Sequence, residues 1–175
     1  MNIHPLVVHF PIAFLAFYSL LEVLTFFSYF RAERWFFIRG VLASLGAVAG
    51  VVAVIFGGVA EEALHVEGSS LQPLVEMHES FAAASLIVFF VLGAAYASRM
   101  LSKEFGFPRG TWPVWMRRLA LWKQAAAFVI LNPRVRVPLA IIGFILLTIA
   151  GALGAAIAHG PAADFIVQFV YNLFF

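Results

Sequence analysis

The apolar run FIRGVLASLGAVAGVVAVIFGGVA, residues 37–60, decides the fold class of this chain. It is longer than the ~20 residues that a helix needs to cross a hydrocarbon core of ~30 Å. Three further runs approach or exceed this length, at residues 5–30, 74–98 and 137–158. Hydrophobic residues make up 63% of the 175 residues, whereas soluble domains contain about half. The sequence therefore predicts an all-α integral membrane protein, a single domain over residues 1–175 folded as a four-helix up-down bundle.

The positive charges give the expected orientation of this bundle. All 11 Lys and Arg residues fall in the stretches 31–39 and 99–136, which lie between predicted helices. Basic loops stay on the cytoplasmic side, so we expect both termini outside the cytoplasm and a multi-pass protein of a bacterial inner membrane. Because membrane insertion accounts for the basic charge, nucleic acid is not an expected partner. With no cysteine, the chain cannot form a disulfide or attach a c-type haem covalently.

Two shorter apolar segments accompany the four runs. Residues 113–131 repeat apolar positions at helical spacing beside Arg117, which predicts an amphipathic helix at the cytoplasmic interface. The tail 164–175 is apolar, aromatic and too short to cross a bilayer. Besides the lipid bilayer, we expect both segments to contact other subunits of a membrane complex.

All five histidines lie on the side of the membrane that lacks Lys and Arg. They occur at the predicted outer ends of the four helices: His4, His9, His65, His78 and His159. Helices 1 and 3 of an up-down bundle are diagonal neighbours, so His9 and His78 can face each other across the core. That arrangement predicts a non-covalent haem b with two histidine ligands near the outer face. The other three histidines would tune or extend the site, although each histidine alone is also an ordinary interfacial residue.

Other ligands suit the same side of the membrane. Glu62 and His65 have the Glu-x-x-His spacing that places two ligands on one helix face. Together with Glu79 they form an alternative non-haem site for a divalent metal, and a quinone pocket is a further alternative. One observation argues against haem, since no Lys or Arg on this side can neutralise the propionates.

Glu22 stands alone inside the first apolar run. An ionisable side chain within a membrane helix is costly and is a functional candidate by default. We therefore predict Glu22 as part of a proton path. The structural alternative is a protonated Glu bonded to a neighbouring helix, or a Glu that reaches toward the arginine cluster.

The N-terminal string HPLVVHFPIA, residues 4–13, resembles the HPLxVHFPIA signature of an uncharacterised bacterial family of four-helix integral membrane proteins. Gly57-Gly58, His78-Glu79 and His159-Gly160 also look like elements of that family. Some of its members look to be joined to c-type cytochromes, so the resemblance implies redox work beside an extracytoplasmic c-type cytochrome. This chain departs from the family in its basic stretch 99–136 and its apolar tail.

Three functions follow as expectations. The first is a cytochrome b-like electron-transfer subunit of a respiratory or photosynthetic complex, that is, a part of an assembly and not a stand-alone enzyme. The second is an accessory subunit that binds a metal or no cofactor. The third is a small transporter or proton channel that uses Glu22.

Overall fold

In a computed structural model of the chain, the backbone is described for residues 4–64, 69–105 and 113–175, and the side chains for 8–58, 69–103 and 113–175. All regular secondary structure in these residues is helical. The helices are α1 (His4–Val23), α2 (Glu33–Leu64), α3 (Gln72–Phe105), α4 (Val114–Ile130), α5 (Pro133–His159) and α6 (Phe165–Phe174). The all-α prediction is confirmed for the described residues.

Four of these helices are long and apolar enough to cross a bilayer. Their candidate spans are Val8–Phe26, Glu33–Gly58, Gln72–Lys103 and Pro133–His159. Each of these helices packs extensively against two of the others, because α1 and α3 both contact α2 and α5. In this ring α1 and α3 lie diagonally opposite each other, and so do α2 and α5.

Small residues allow α2 and α3 to approach closely. A Cβ added to Gly93 of α3 would lie only 3.0 Å from the backbone oxygen of Ala43 in α2. Ser44 Oγ also donates a hydrogen bond to the Gly93 carbonyl, at 3.2 Å. In a bilayer, where apolar side chains gain little by leaving lipid, such close contacts are what hold helices together. The core beside this contact includes Leu15 and Phe89, both buried.

The first α-helix ends earlier than the predicted boundary at residue 30. Regular α-helix stops at Val23, two short 3₁₀ turns follow, and Phe27 between them is extended. The carbonyls released at this end are satisfied by one side chain, since Arg31 donates to Thr25 O at 2.8 Å and to Phe26 O at 3.0 Å. Hydropathy does not detect this ending because the turn residues are themselves apolar.

The two shorter helices, α4 and α6, lie within the segments 113–131 and 164–175. In α4 the apolar side chains Trp115 and Trp122 are exposed, and Ala127 is buried. A tight turn joins α4 to α5, where the Asn132 side chain accepts a hydrogen bond from the backbone N–H of Arg134 at 3.0 Å.

Helix α6 packs against the same chain through one of its faces. Val167 and Val170 are buried against Leu74 of α3 and Leu153 of α5. The Asp164 side chain caps the helix by accepting from the backbone N–H of Val167 at 2.9 Å. The opposite face exposes large apolar side chains: Phe165, Ile166, Phe169 and Leu173.

Candidate functional site

Glu22 lies in the last turn of α1 and is completely buried. Its partners come from the three other membrane-length helices. They are Arg39 in the second turn of α2, Tyr96 in α3 and Arg136 in the first turn of α5. We call these four residues the Glu22 cluster, and all four are buried.

Each carboxylate oxygen of Glu22 faces one arginine. Arg39 Nε lies 3.5 Å from Glu22 Oε1. Arg136 Nε lies 2.9 Å from Glu22 Oε2, a charge contact whose N–H direction falls outside hydrogen-bond geometry. The Tyr96 hydroxyl donates a hydrogen bond to Oε1. One buried carboxylate thus connects α1 to three other helices.

The arginines also bind groups outside the carboxylate. Arg39 Nε donates to the Tyr96 hydroxyl at 3.2 Å, and Arg39 Nη1 donates to the Phe30 carbonyl at 2.8 Å. Arg136 Nη1 donates to the Leu131 carbonyl at 3.1 Å. These two carbonyls belong to the turn before α2 and the turn before α5. The cluster therefore fixes both connections as well as the helices.

A charge in a low-dielectric interior is tolerated only when it is paired and hydrogen-bonded. The cluster contains one carboxylate and two guanidinium groups, so it carries one excess positive charge when the tyrosine is neutral. Tyr18, one turn before Glu22 on α1, is also fully buried, and its ring makes an edge contact with the Tyr96 ring at 6.0 Å. Its hydroxyl is buried without a hydrogen-bond partner in the described residues.

Sequence reasoning singled out Glu22 and included, as one alternative, a Glu that reaches toward the arginine cluster; in the structure Glu22 contacts Arg39 of that cluster. Individually, Arg39 and Arg136 counted only as members of the basic stretches that set the orientation. A signal was available, because Arg39 falls inside the apolar run 37–60 and Arg136 directly precedes the run 137–158. A lone buried carboxylate requires a counter-charge, and Arg39 and Arg136 are among the basic residues that lie inside or directly beside an apolar run, as Arg31 and Arg99 also do.

His78 is the most informative of the predicted haem ligands. It is partly buried, and its Nδ1 lies 2.8 Å from the Ala150 carbonyl of α5. Because a carbonyl can only accept, Nδ1 carries the proton in this bond and Nε2 of the neutral ring keeps its lone pair. The ring also lies against Gly154, where an added Cβ would come within 3.0 Å of His78 Cε1. His78 thus packs on α5.

The other predicted ligands are spread around this side. His9 in α1 and Glu79 in α3 are both exposed, and each interacts with another group of the protein. His159, the last residue of α5, is also exposed. The side chains of His4, Glu62 and His65 lie outside the described residues. The haem pair and the alternative metal site stay predictions.

Two further features of the described residues concern binding. Among the described residues, no three His, Asp or Glu side chains converge in a way that could hold a metal ion. A partly enclosed cavity of about 290 Å³ lies beside the Glu22 cluster and is lined by Arg99 and Arg136.

Comparison with protein-family profiles, with curated proteins and with solved structures found no match to this chain.

Proposed function

We propose that the chain is an integral protein of a bacterial inner membrane, folded as an up-down bundle with α4 along the cytoplasmic interface. The basic stretches 31–39 and 99–136 support a cytoplasmic position for the ends that carry the Glu22 cluster. The exposed Trp115 and Trp122 of α4 suit the headgroup region, where aromatic side chains are enriched. In this orientation both termini and α6 lie on the extracytoplasmic side.

The orientation is testable because the chain has no cysteine. Lys123→Cys on α4 and Ala162→Cys before α6 each introduce one thiol at an exposed position. A membrane-impermeant maleimide added to intact spheroplasts should label Ala162→Cys and should reach Lys123→Cys only after lysis. The reverse pattern would contradict the proposed orientation.

Within this membrane we propose a non-catalytic role as a rigid accessory subunit of a larger complex. The Glu22 cluster is the observation that carries this proposal. It joins four helices and two connecting turns through buried ion pairs and hydrogen bonds. A bundle fixed in this way suits a scaffold better than a transporter, whose halves must move against each other.

The outer faces of α4 and α6 are the surfaces that this role would use. In α6, a helix of 10 residues, the exposed rings of Phe165 and Phe169 stack at 6.4 Å. Rigid aromatic side chains are frequent anchors of protein interfaces. We propose that α6 contacts another subunit at the extracytoplasmic side.

Purification from the native membrane tests the accessory role. A tagged chain in a mild detergent should migrate in native electrophoresis well above its own mass, with the same partners at fixed stoichiometry in repeated preparations. Phe165→Ser together with Phe169→Ser should release the partners and leave the chain folded, whereas Ile87→Ser, at an exposed position of α3, serves as the matched apolar control. A chain that runs alone in every mild detergent would contradict the proposal.

A second candidate, the cytochrome b-like electron-transfer subunit, is favoured by the His78 geometry. Histidines that bind metals usually donate their second ring N–H to a backbone carbonyl or a carboxylate, as His78 Nδ1 does to Ala150. Nε2 of His78 is therefore the atom that would bind the iron of haem b, with His9 as the predicted second ligand. When bound, the haem would supply one-electron transfer to a quinone or to an extracytoplasmic c-type cytochrome. The chain's part is to fix the ring of His78 through Ala150 and Gly154.

An absorption spectrum of the gently purified protein separates the two candidates. A Soret band that disappears in His78→Ala, and persists in His159→Ala, would support the haem. Metal analysis of the same sample would detect the alternative divalent ion. If the complex is intact and has no Soret band, only the accessory role is supported.

The proton-path role of Glu22 remains a third proposal, which the same protein can test in liposomes. It predicts proton flux that Glu22→Gln abolishes. The accessory role predicts no proton flux through the wild type or through Glu22→Gln.

A further inference from the structure

The cavity beside the Glu22 cluster lies between α3, α4 and α5, and Phe36 of α2 also lines it. Arg99 of α3 and Arg136 of α5 supply its charged side chains, and Asn132 lies in the turn between α4 and α5. Its apolar wall includes Phe36 and Phe128. The volume of about 290 Å³ is enough for several water molecules at ~30 Å³ each, and so for a group as compact as a phosphate.

The charges around this cavity are unbalanced. Arg99 is exposed and makes no ion pair or hydrogen bond with the described residues. Arg136 shares the single carboxylate of Glu22 with Arg39, and its side chain keeps 11% of its surface exposed. Among the residues that the structure describes, no acidic side chain lines the cavity. Two guanidinium groups therefore border the same space, and one of them belongs to a cluster that already has excess positive charge.

Guanidinium groups are the preferred side chains for phosphate, because their planar donors match its oxygens. Basic pockets between membrane helices on the cytoplasmic side bind the headgroups of anionic lipids. The aromatic residues on the cavity wall, with the exposed Phe128 at its edge, offer the surface that an acyl chain would follow. A free phosphate would gain nothing from them.

We propose that this cavity binds the phosphodiester group of an anionic phospholipid, held by Arg99 and Arg136. The lipid balances the excess charge of the Glu22 cluster and fills the gap between α3, α4 and α5. This inference goes beyond the proposed accessory role and does not depend on it, because binding can be measured with the isolated chain.

Native mass spectrometry of the detergent-solubilised protein tests the site with defined lipids. The wild-type chain is titrated with phosphatidylglycerol and, separately, with phosphatidylcholine, whose headgroup has no net charge. We expect one phosphatidylglycerol per chain to bind at least tenfold more tightly than phosphatidylcholine. Arg99→Gln should weaken phosphatidylglycerol binding about fivefold, the factor expected from ~1 kcal/mol per arginine near an anionic lipid. Arg117→Gln is the matched control, since Arg117 is exposed on α4 and does not line the cavity.

Four outcomes would overturn the proposal. Arg99→Gln could bind phosphatidylglycerol as the wild type does, or Arg99→Gln and Arg117→Gln could weaken it equally, which would indicate unspecific attraction. Equal binding of the two lipids would remove the role of charge. Displacement of the lipid by millimolar inorganic phosphate would show that the cavity selects a free anion. Both substitutions affect exposed side chains, so neither should prevent folding.

Discussion

Replacing Glu22 by Gln should strongly destabilise the bundle. The change keeps the size of the side chain and an acceptor for the Tyr96 hydroxyl, but it removes the carboxylate that pairs with Arg39 and Arg136. The two buried guanidinium groups then lose the counter-charge that they share. Removing one partner of a buried ion pair costs ~3–5 kcal/mol, which lowers the folding equilibrium constant by a factor of roughly 150 to 5,000.

The free energy of unfolding can be measured in mixed micelles by titration with sodium dodecyl sulfate, with helix content followed by circular dichroism. Glu33→Gln is the matched control, because Glu33 pairs with Lys103 at the protein surface, where its side chain is 78% exposed. Surface ion pairs contribute little, so this variant should unfold close to the wild type. Equal stability of Glu22→Gln and Glu33→Gln would refute the structural role of the cluster.

Three further predictions concern contacts elsewhere in the chain. Arg39→Lys should cost ~1–3 kcal/mol in the same unfolding titration, because one ammonium cannot reach Glu22, Tyr96 and the Phe30 carbonyl together; an unchanged midpoint would contradict this geometry. Gly154→Ala should lower the free energy of unfolding by ~1–3 kcal/mol, because the added Cβ pushes the His78 ring off α5. Gly151→Ala is the control and should be neutral or slightly stabilising, since an added Cβ there meets nothing within 4 Å. Equal effects of the two substitutions on stability would exclude the close contact. Asp164→Ala should remove the α6 cap at a cost of ~1 kcal/mol and speed amide hydrogen exchange over 165–174, with exchange in α5 unchanged; protected amides in α6 would show that the cap is not needed.

The number and type of the membrane-length helices could be predicted from sequence. The length of the apolar runs alone identified all four, because a segment that crosses lipid must satisfy its backbone hydrogen bonds within a helix and must be apolar over about 20 residues. The ending of α1 at Val23 could not be predicted in this way. It depends on Arg31 reaching back to the carbonyls of Thr25 and Phe26, a contact that hydropathy does not encode.

In the candidate sites, too, the sequence predicts some residues and only the packing of the helices reveals the others. Glu22 was conspicuous because a carboxylate in an apolar run is costly wherever it points. Arg39 and Arg136 were not, since an arginine at a helix end normally extends to the interface and sets orientation. Whether such an arginine turns inward depends on its position around its helix relative to Glu22. That position can be judged only when the packing of α1, α2 and α5 is known. For His78 the sequence predicted a core-facing residue, and the hydrogen bond to Ala150 emerged only from the contact between α3 and α5.

The coupling energy between Glu22 and Arg136 tests the central claim most directly. A double-mutant cycle uses the wild type, Glu22→Gln, Arg136→Gln and the double variant in the same unfolding titration. Arg136→Gln alone removes the excess positive charge and should cost less than Glu22→Gln, and the double variant should be more stable than the sum of the two single losses predicts, by at least ~1 kcal/mol. Additive losses, with a coupling energy near zero, would show that the two residues do not form the buried pair on which the account depends.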